Sequence, residues 1–140
     1  MTWTDEQVAL QESTREFVRR EVTPHLQEWE DSGEVPPELH LAAAEAGLLG
    51  VSFPEEVGGQ GGTLLDSVAM QEAFFEAGGS SGLAAALFTG GIALPHMAAH
   101  GTPDQIDSFV WHRFVTVTAP RAAIVPLITF CVAQVSAPFV

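Results

Sequence analysis

A chain of 140 residues with 46% apolar side chains carries five arginines, no lysine and 18 acidic residues, for a formal net charge of −13. Its length and apolar content suffice for one buried core, while the shortage of clustered cations excludes recognition of a phosphate backbone, so no nucleic-acid partner is expected. The lone cysteine, Cys131, excludes an internal disulfide framework or a thiolate metal cluster, and residues 1–6 lack the basic and apolar stretches of a secretory leader, which makes a cytoplasmic setting the expectation.

Thr4-Asp5-Glu6-Gln7 has the spacing of a capping box, a hydroxyl for the N3 amide and a glutamine to reach back, and predicts the start of a long helix. Val18, Val22, Leu26 and Trp29, with Phe17 beside them, recur at three and four and form its apolar stripe; the opposite face is expected to be charged and wet. Gly33 ends that run. Pro36-Pro37 opens a second helix to about Ala46, where Gly47 supplies a left-handed stop. Residues 48–62 read as a connection that ends in the glycine cluster Gly58-Gly59-Gln60-Gly61-Gly62.

A third helix follows from Thr63 to Gly78, with Leu64, Leu65, Val68, Ala69 and Phe75 predicted to face inward. The fourth, over residues 81–100, is almost free of charge and has no clear polar face, which predicts burial on all sides. Thr102-Pro103-Asp104-Gln105 is a second capping box that launches a fifth helix. The expected fold is therefore all-α, an N-terminal bundle of about five helices over residues 1–110, followed by an atypical apolar tail over 111–140.

The composition changes sharply between those two parts. Residues 1–110 hold all 18 acidic residues with Arg15, Arg19 and Arg20, a net charge of −15, and all 13 glycines. The remainder holds Arg113 and Arg121, no acid and no glycine, and residues 122–140 are uncharged, 14 of the 19 being apolar. That run just reaches the length of a membrane span, yet Pro126, Pro138 and Gln134 and its β-branched residues favour an irregular or strand-like tail over a membrane anchor.

Chemistry-bearing patterns are sparse. The glycine cluster lacks the G-x-G-x-x-G spacing and a following Lys-Ser/Thr, so a structural turn is expected there. Glu55-Glu56 forms no dyad, because adjacent side chains point apart. His96 and His100 stand at i, i+4, but no third ligand accompanies them and no metal site is expected. No serine sits in a nucleophile motif, and the arginines at 15, 19 and 20 alternate with Glu12, Glu16 and Glu21 as an ordinary charged helix face. No catalytic residue emerges from these patterns.

The order of the segments nevertheless resembles the N-terminal helical domain of the acyl-CoA dehydrogenase family. The resemblance rests on the opening helix with Phe17-Val18 and Val22-Thr23-Pro24, on Val35-Pro36, and on Ala46-Gly-Leu-Leu-Gly-Val51 leading into Phe53-Pro-Glu-Glu-Val-Gly-Gly59 and Gly61. Gln71-Glu72 and Gly101-Thr-Pro-Asp-Gln105 extend it. It implies a role in the FAD-dependent α,β-dehydrogenation of fatty acyl-CoA thioesters, with this domain forming part of the acyl-channel wall. Leu83, Leu87, Gly91 and Leu94 are then the expected contacts to the acyl chain.

The family's Glu-Pro and Gly-Ser-Asp flavin segments and its C-terminal bundle, which carries the base, have no counterpart after Val110. The resemblance therefore implies a truncated or frameshifted member that does not bind FAD or act alone. The alternatives are a helical interaction module that docks on a partner flavoprotein and a tail-anchored membrane protein. Loss of the covering domains further predicts a marginal, association-prone monomer.

Overall fold

In the computed structural model, which describes residues 2–111, the regular structure is entirely helical and no strand occurs among the described residues. Helix α1 (Asp5–Phe17) begins at the expected capping box: the Thr4 hydroxyl accepts from the Gln7 amide while Gln7 Oε1 accepts from the Thr4 amide at 3.1 Å. Its last turn widens into a π-helical segment, Val18–Val22, where the Thr23 amide and hydroxyl both donate to the Val18 carbonyl at 2.8 and 3.1 Å. Pro24 has no amide to continue the ladder. The helix predicted as unbroken up to Gly33 is therefore divided, and α2 (Leu26–Ser32) restarts beyond it.

Gly33, at φ +68°, closes α2, and α3 (Pro37–Glu45) carries proline at its first position. Gly47 takes the expected left-handed conformation, φ +74°. Two short 3-10 turns, Leu48–Gly50 and Glu55–Val57, shape the connection to α4 (Leu64–Glu76). The apolar segment expected as one fourth helix is two: α5 (Ser81–Phe88) and α6 (Gly90–His100), interrupted at Thr89 just before the Gly90-Gly91 pair, with Pro95 inside α6. A final turn, α7 (Pro103–Gln105), opens at the second predicted capping box and passes into a π-helical segment, Ile106–Trp111. The expected strand-like or membrane-spanning tail lies outside the described residues.

Helices α1 and α4 run parallel and form the most extensive helix pairing. Gln7 donates to Asp66 at 2.9 Å, Gln11 to Glu72 at 3.4 Å, and Arg15 pairs with Glu76 at 2.8 Å, so residue numbers rise together along both helices. Gln7, Gln11 and Thr14 are buried because they continue the Val18–Val22 stripe back toward the N-terminus at helical spacing, while Glu12, Glu16, Arg19 and Arg20 stay on the exposed side. The packing of α4 corrects one expectation. On α4 the inward side chains are Ala69, Met70, Ala73 and Phe74, whereas Leu64, Leu65, Val68 and Phe75 are exposed, Leu64 by 77% and Phe75 by 47%.

The core forms two clusters. In the larger, Phe17, Val18 and Val22 meet Leu39 and Ala43 of α3, Met70 and Phe74 of α4, and Leu83 and Leu87 of α5. Phe74 is fully buried and packs edge-on against Phe88, ring centres 5.4 Å apart. The smaller cluster gathers Phe53 and Val57 of the connection around Leu94 of α6, with Met97, Ala98 and Ile106 at its margin.

Candidate functional site

The apolar pair α5–α6 is held onto the body at defined points. Ser80 caps α5 by accepting from the Leu83 amide at 3.1 Å, and its hydroxyl donates to the Glu30 carboxylate of α2. From α3, His40 Nε2 lies 3.2 Å from the Ala86 carbonyl. Leu83 and Leu87 sink into the larger core cluster and Leu94 into the smaller, so the three leucines pin both halves of the interrupted helix from beneath.

Gly91 lies between them on the outside. It is exposed, and nothing lies within 4 Å of the place a Cβ would occupy. The four residues expected to contact a ligand thus share a helical stripe by spacing but are divided between two core clusters and open surface. The expectation of burial all round is overturned: Ser81, Gly82, Ala85, Ala86, Thr89 and Ile92 are exposed, Ile92 by 71%. Residues 81–100, at a mean hydropathy of 1.4, are long and apolar enough to cross a membrane by length and composition, with 17% of that stretch buried.

The glycine-rich connection is stitched to itself. Amides of Gln60, Gly61 and Gly62 donate to the carbonyls of Gly50, Phe53 and Val51 at 2.8–2.9 Å, while those of Gly58 and Gly59 donate to Glu55 and Pro54. Close approach explains the glycines: a Cβ on Gly59 would stand 2.1 Å from the Phe53 carbonyl oxygen. Every amide from 58 to 62 is engaged, so the loop offers no donor cradle to a phosphate, and the arginines at 15 and 20 already face Glu76 and Glu21. The described residues do not fit a flavin pyrophosphate at this loop.

Elsewhere, Asp66 accepts from the Thr63 amide, the Thr63 hydroxyl and Gln7, and these bonds, the Thr63 amide foremost, hold its carboxyl below the usual range. Among the described residues no three His, Cys, Asp or Glu side chains converge as a metal site. Sequence reasoning missed the open apolar face of α4; the recurrence of Leu64, Val68 and Phe75 at helical spacing was visible, but it was assigned to the wrong side.

Fold and site together define, over the described residues, an all-α domain with an apolar helix pair along one flank. The profile of the acyl-CoA dehydrogenase N-terminal domain matches residues 4–111, and the chain belongs to the acyl-CoA dehydrogenase family through that domain. The crystal structure of a probable acyl-CoA dehydrogenase from Mycobacterium abscessus is similar over 79% of this chain and 30% of that one, at 55% identity and a TM-score of 0.77. A structure of a putative acyl-CoA dehydrogenase from Mycobacterium smegmatis matches at 49% identity and a TM-score of 0.78, over 80% of this chain and 29% of that one. The long-chain specific mitochondrial acyl-CoA dehydrogenase of Rattus norvegicus is 38% identical over 100 residues, 71% of this chain and 23% of that protein. The chain therefore spans less than a third of the length of these relatives.

Proposed function

We propose that this chain is the N-terminal helical part of a flavin-dependent acyl-CoA dehydrogenase, that α5 and α6 contribute to the wall of its fatty-acyl channel, and that the chain performs no dehydrogenation alone. The observation that carries this reading is the family match over residues 4–111. Family members are FAD-dependent and act on acyl-CoA thioesters, taking hydrogens from the α and β carbons. In this chain Leu83, Leu87 and Leu94 set the position of the wall from beneath, and Gly91 leaves room above it for methylenes of the acyl tail.

A chimera tests the wall. Residues 4–111 of this chain, grafted in place of the matching segment of the Mycobacterium abscessus homologue, are expected to yield a yellow, active enzyme, and Gly91→Leu in that chimera is expected to shift preference toward shorter acyl chains. A folded, flavin-bearing Gly91→Leu chimera with an unchanged chain-length profile would overturn the wall assignment. The native chain, incubated with FAD and desalted, is expected to stay colourless and to reduce no electron acceptor when given an acyl-CoA; a yellow, active product would overturn its inactivity.

The compositional break near residue 110 supports a further part of the reading, that residues 111–140 come from a shifted frame. Translating the coding DNA beyond that point in the two other frames is expected to reveal the Glu-Pro and Gly-Ser-Asp pattern; its absence from both would count against the shift.

A further inference from the structure

Helix α5 is fastened near both ends to helices that precede it in the chain. At its start the Ser80 hydroxyl donates to Glu30 of α2; near its end the Ala86 carbonyl meets His40 of α3, whose Nε2 lies 3.2 Å away. A carbonyl only accepts, so this bond requires the ring proton on Nε2. An unbroken helix over residues 81–100 would bring a different donor to that oxygen, the amide of Gly90 four residues on. The ladder is instead interrupted at Thr89, and Gly90 becomes the first residue of α6, a position whose amide has no carbonyl of its own helix to meet.

The local sequence permits a bend there without fixing its direction. The Thr89 hydroxyl donates back to the Ala85 carbonyl, a bond that bends helices. Gly90 and Gly91 loosen the backbone, and Pro95 brings no amide to the Gly91 carbonyl, so the first turn of α6 is weakly tied. The angle is then set by what touches the two halves from outside: the larger core cluster under α5, the smaller one around Leu94, and His40 at the joint. Of these, His40 acts on the hydrogen-bond ladder itself.

We propose that His40 is a positioning residue for the acyl wall: by holding the Ala86 carbonyl it keeps α5 and α6 from joining into one straight helix, and it thereby fixes where Gly91 stands beside an acyl tail. The proposal rests on the assignment of α5 and α6 to that wall and adds to it a side chain that touches no substrate.

Hydrogen exchange in the full chain tests the joint. In His40→Leu, which keeps bulk and removes the donor, the Ala86 carbonyl is free to take the Gly90 amide, and exchange at Gly90 is expected to slow several-fold while amides of α1 and α4 exchange as in the wild type. In His40→Gln, whose carboxamide nitrogen replaces Nε2 as donor, Gly90 is expected to exchange at the wild-type rate. Equal rates at Gly90 in wild type and His40→Leu would overturn the proposal, as would a slowing in His40→Gln as large as in His40→Leu. The chimera with the Mycobacterium abscessus homologue reads the consequence for the substrate. There His40→Leu is expected to raise KM for palmitoyl-CoA several-fold with kcat little changed, and to leave KM for butyryl-CoA as it was, because a short tail ends before the level of Gly91. His40→Gln is expected to keep the values of the unsubstituted chimera. If Gly91→Leu shifts the chain-length profile and His40→Leu does not, the proposal is overturned while the wall assignment stands. If neither shifts it, the wall assignment has failed and the proposal falls with it, whatever the exchange at Gly90.

Discussion

Asp66 joins the starts of two helices. It closes the capping box of α4 with Thr63 and accepts from Gln7, which closes the box of α1 with Thr4, so one carboxylate couples both N-termini. Because these bonds hold its folded-state pKa below the unfolded value of about 3.9, the folded chain binds fewer protons there, and the stabilisation is complete above that value and lost as pH falls through the lower folded one. Urea unfolding is therefore expected to show Asp66→Asn less stable than wild type by a constant margin from neutral pH into the mildly acidic range, with the margin shrinking below about pH 4. A margin independent of pH throughout would show that the charge plays no part. Two glycines make an opposed pair. Gly59→Ala must displace the Phe53 carbonyl that the loop and the smaller core cluster depend on, and is expected to cost about 3 kcal/mol. Gly91→Ala meets open space inside a helix and is expected to stabilise the chain by up to about 1 kcal/mol. Thermal melts of the two variants distinguish these signs.

At the scale of the element, legibility tracked local chemistry and failed where packing chose between two faces. Caps and stops need only near neighbours, so Thr4, Gly33, Gly47 and Thr102 were readable from residue type and spacing. The break at Pro24 was also written in the residues but was passed over, because the apolar stripe continues in period to Trp29 on its far side. Helix α4 is apolar on both flanks, and hydrophobic size pointed to Leu64, Val68 and Phe75, whereas the side that packs inward carries Ala69, Met70, Ala73 and Phe74. Only the tertiary arrangement makes that choice. The buried Gln7 and Gln11 were hidden for the complementary reason, since their partners Asp66 and Glu72 lie about sixty residues away. A pair of adjacent residues checks the inverted face: Phe74→Ala, which empties a fully buried ring site, is expected to cost 3–5 kcal/mol, roughly the range for such truncations. Phe75→Ala is expected to cost less than half as much in the same denaturation experiment, and equal losses would refute the assignment of faces.

For the whole molecule, two long-range properties oppose each other. Residues 1–110 carry a net charge of −15 with no lysine, while α6 keeps Ile92 in solvent along a flank that lacks charge from residue 81 to His96. At about 10 mM salt, where the screening length is roughly 30 Å, approaching chains repel before their apolar flanks can meet; near 1 M it shrinks to about 3 Å and the apolar attraction is left unopposed. Sedimentation velocity is expected to show a concentration-independent monomer in dilute sodium chloride and reversible association in concentrated sodium chloride. Ile92→Glu is expected to restore the monomer at high salt, because burying an unpaired carboxylate in a self-contact costs more than the flank gains. Association that ignores both salt and Ile92 would place the sticky surface elsewhere and remove α6 from the argument.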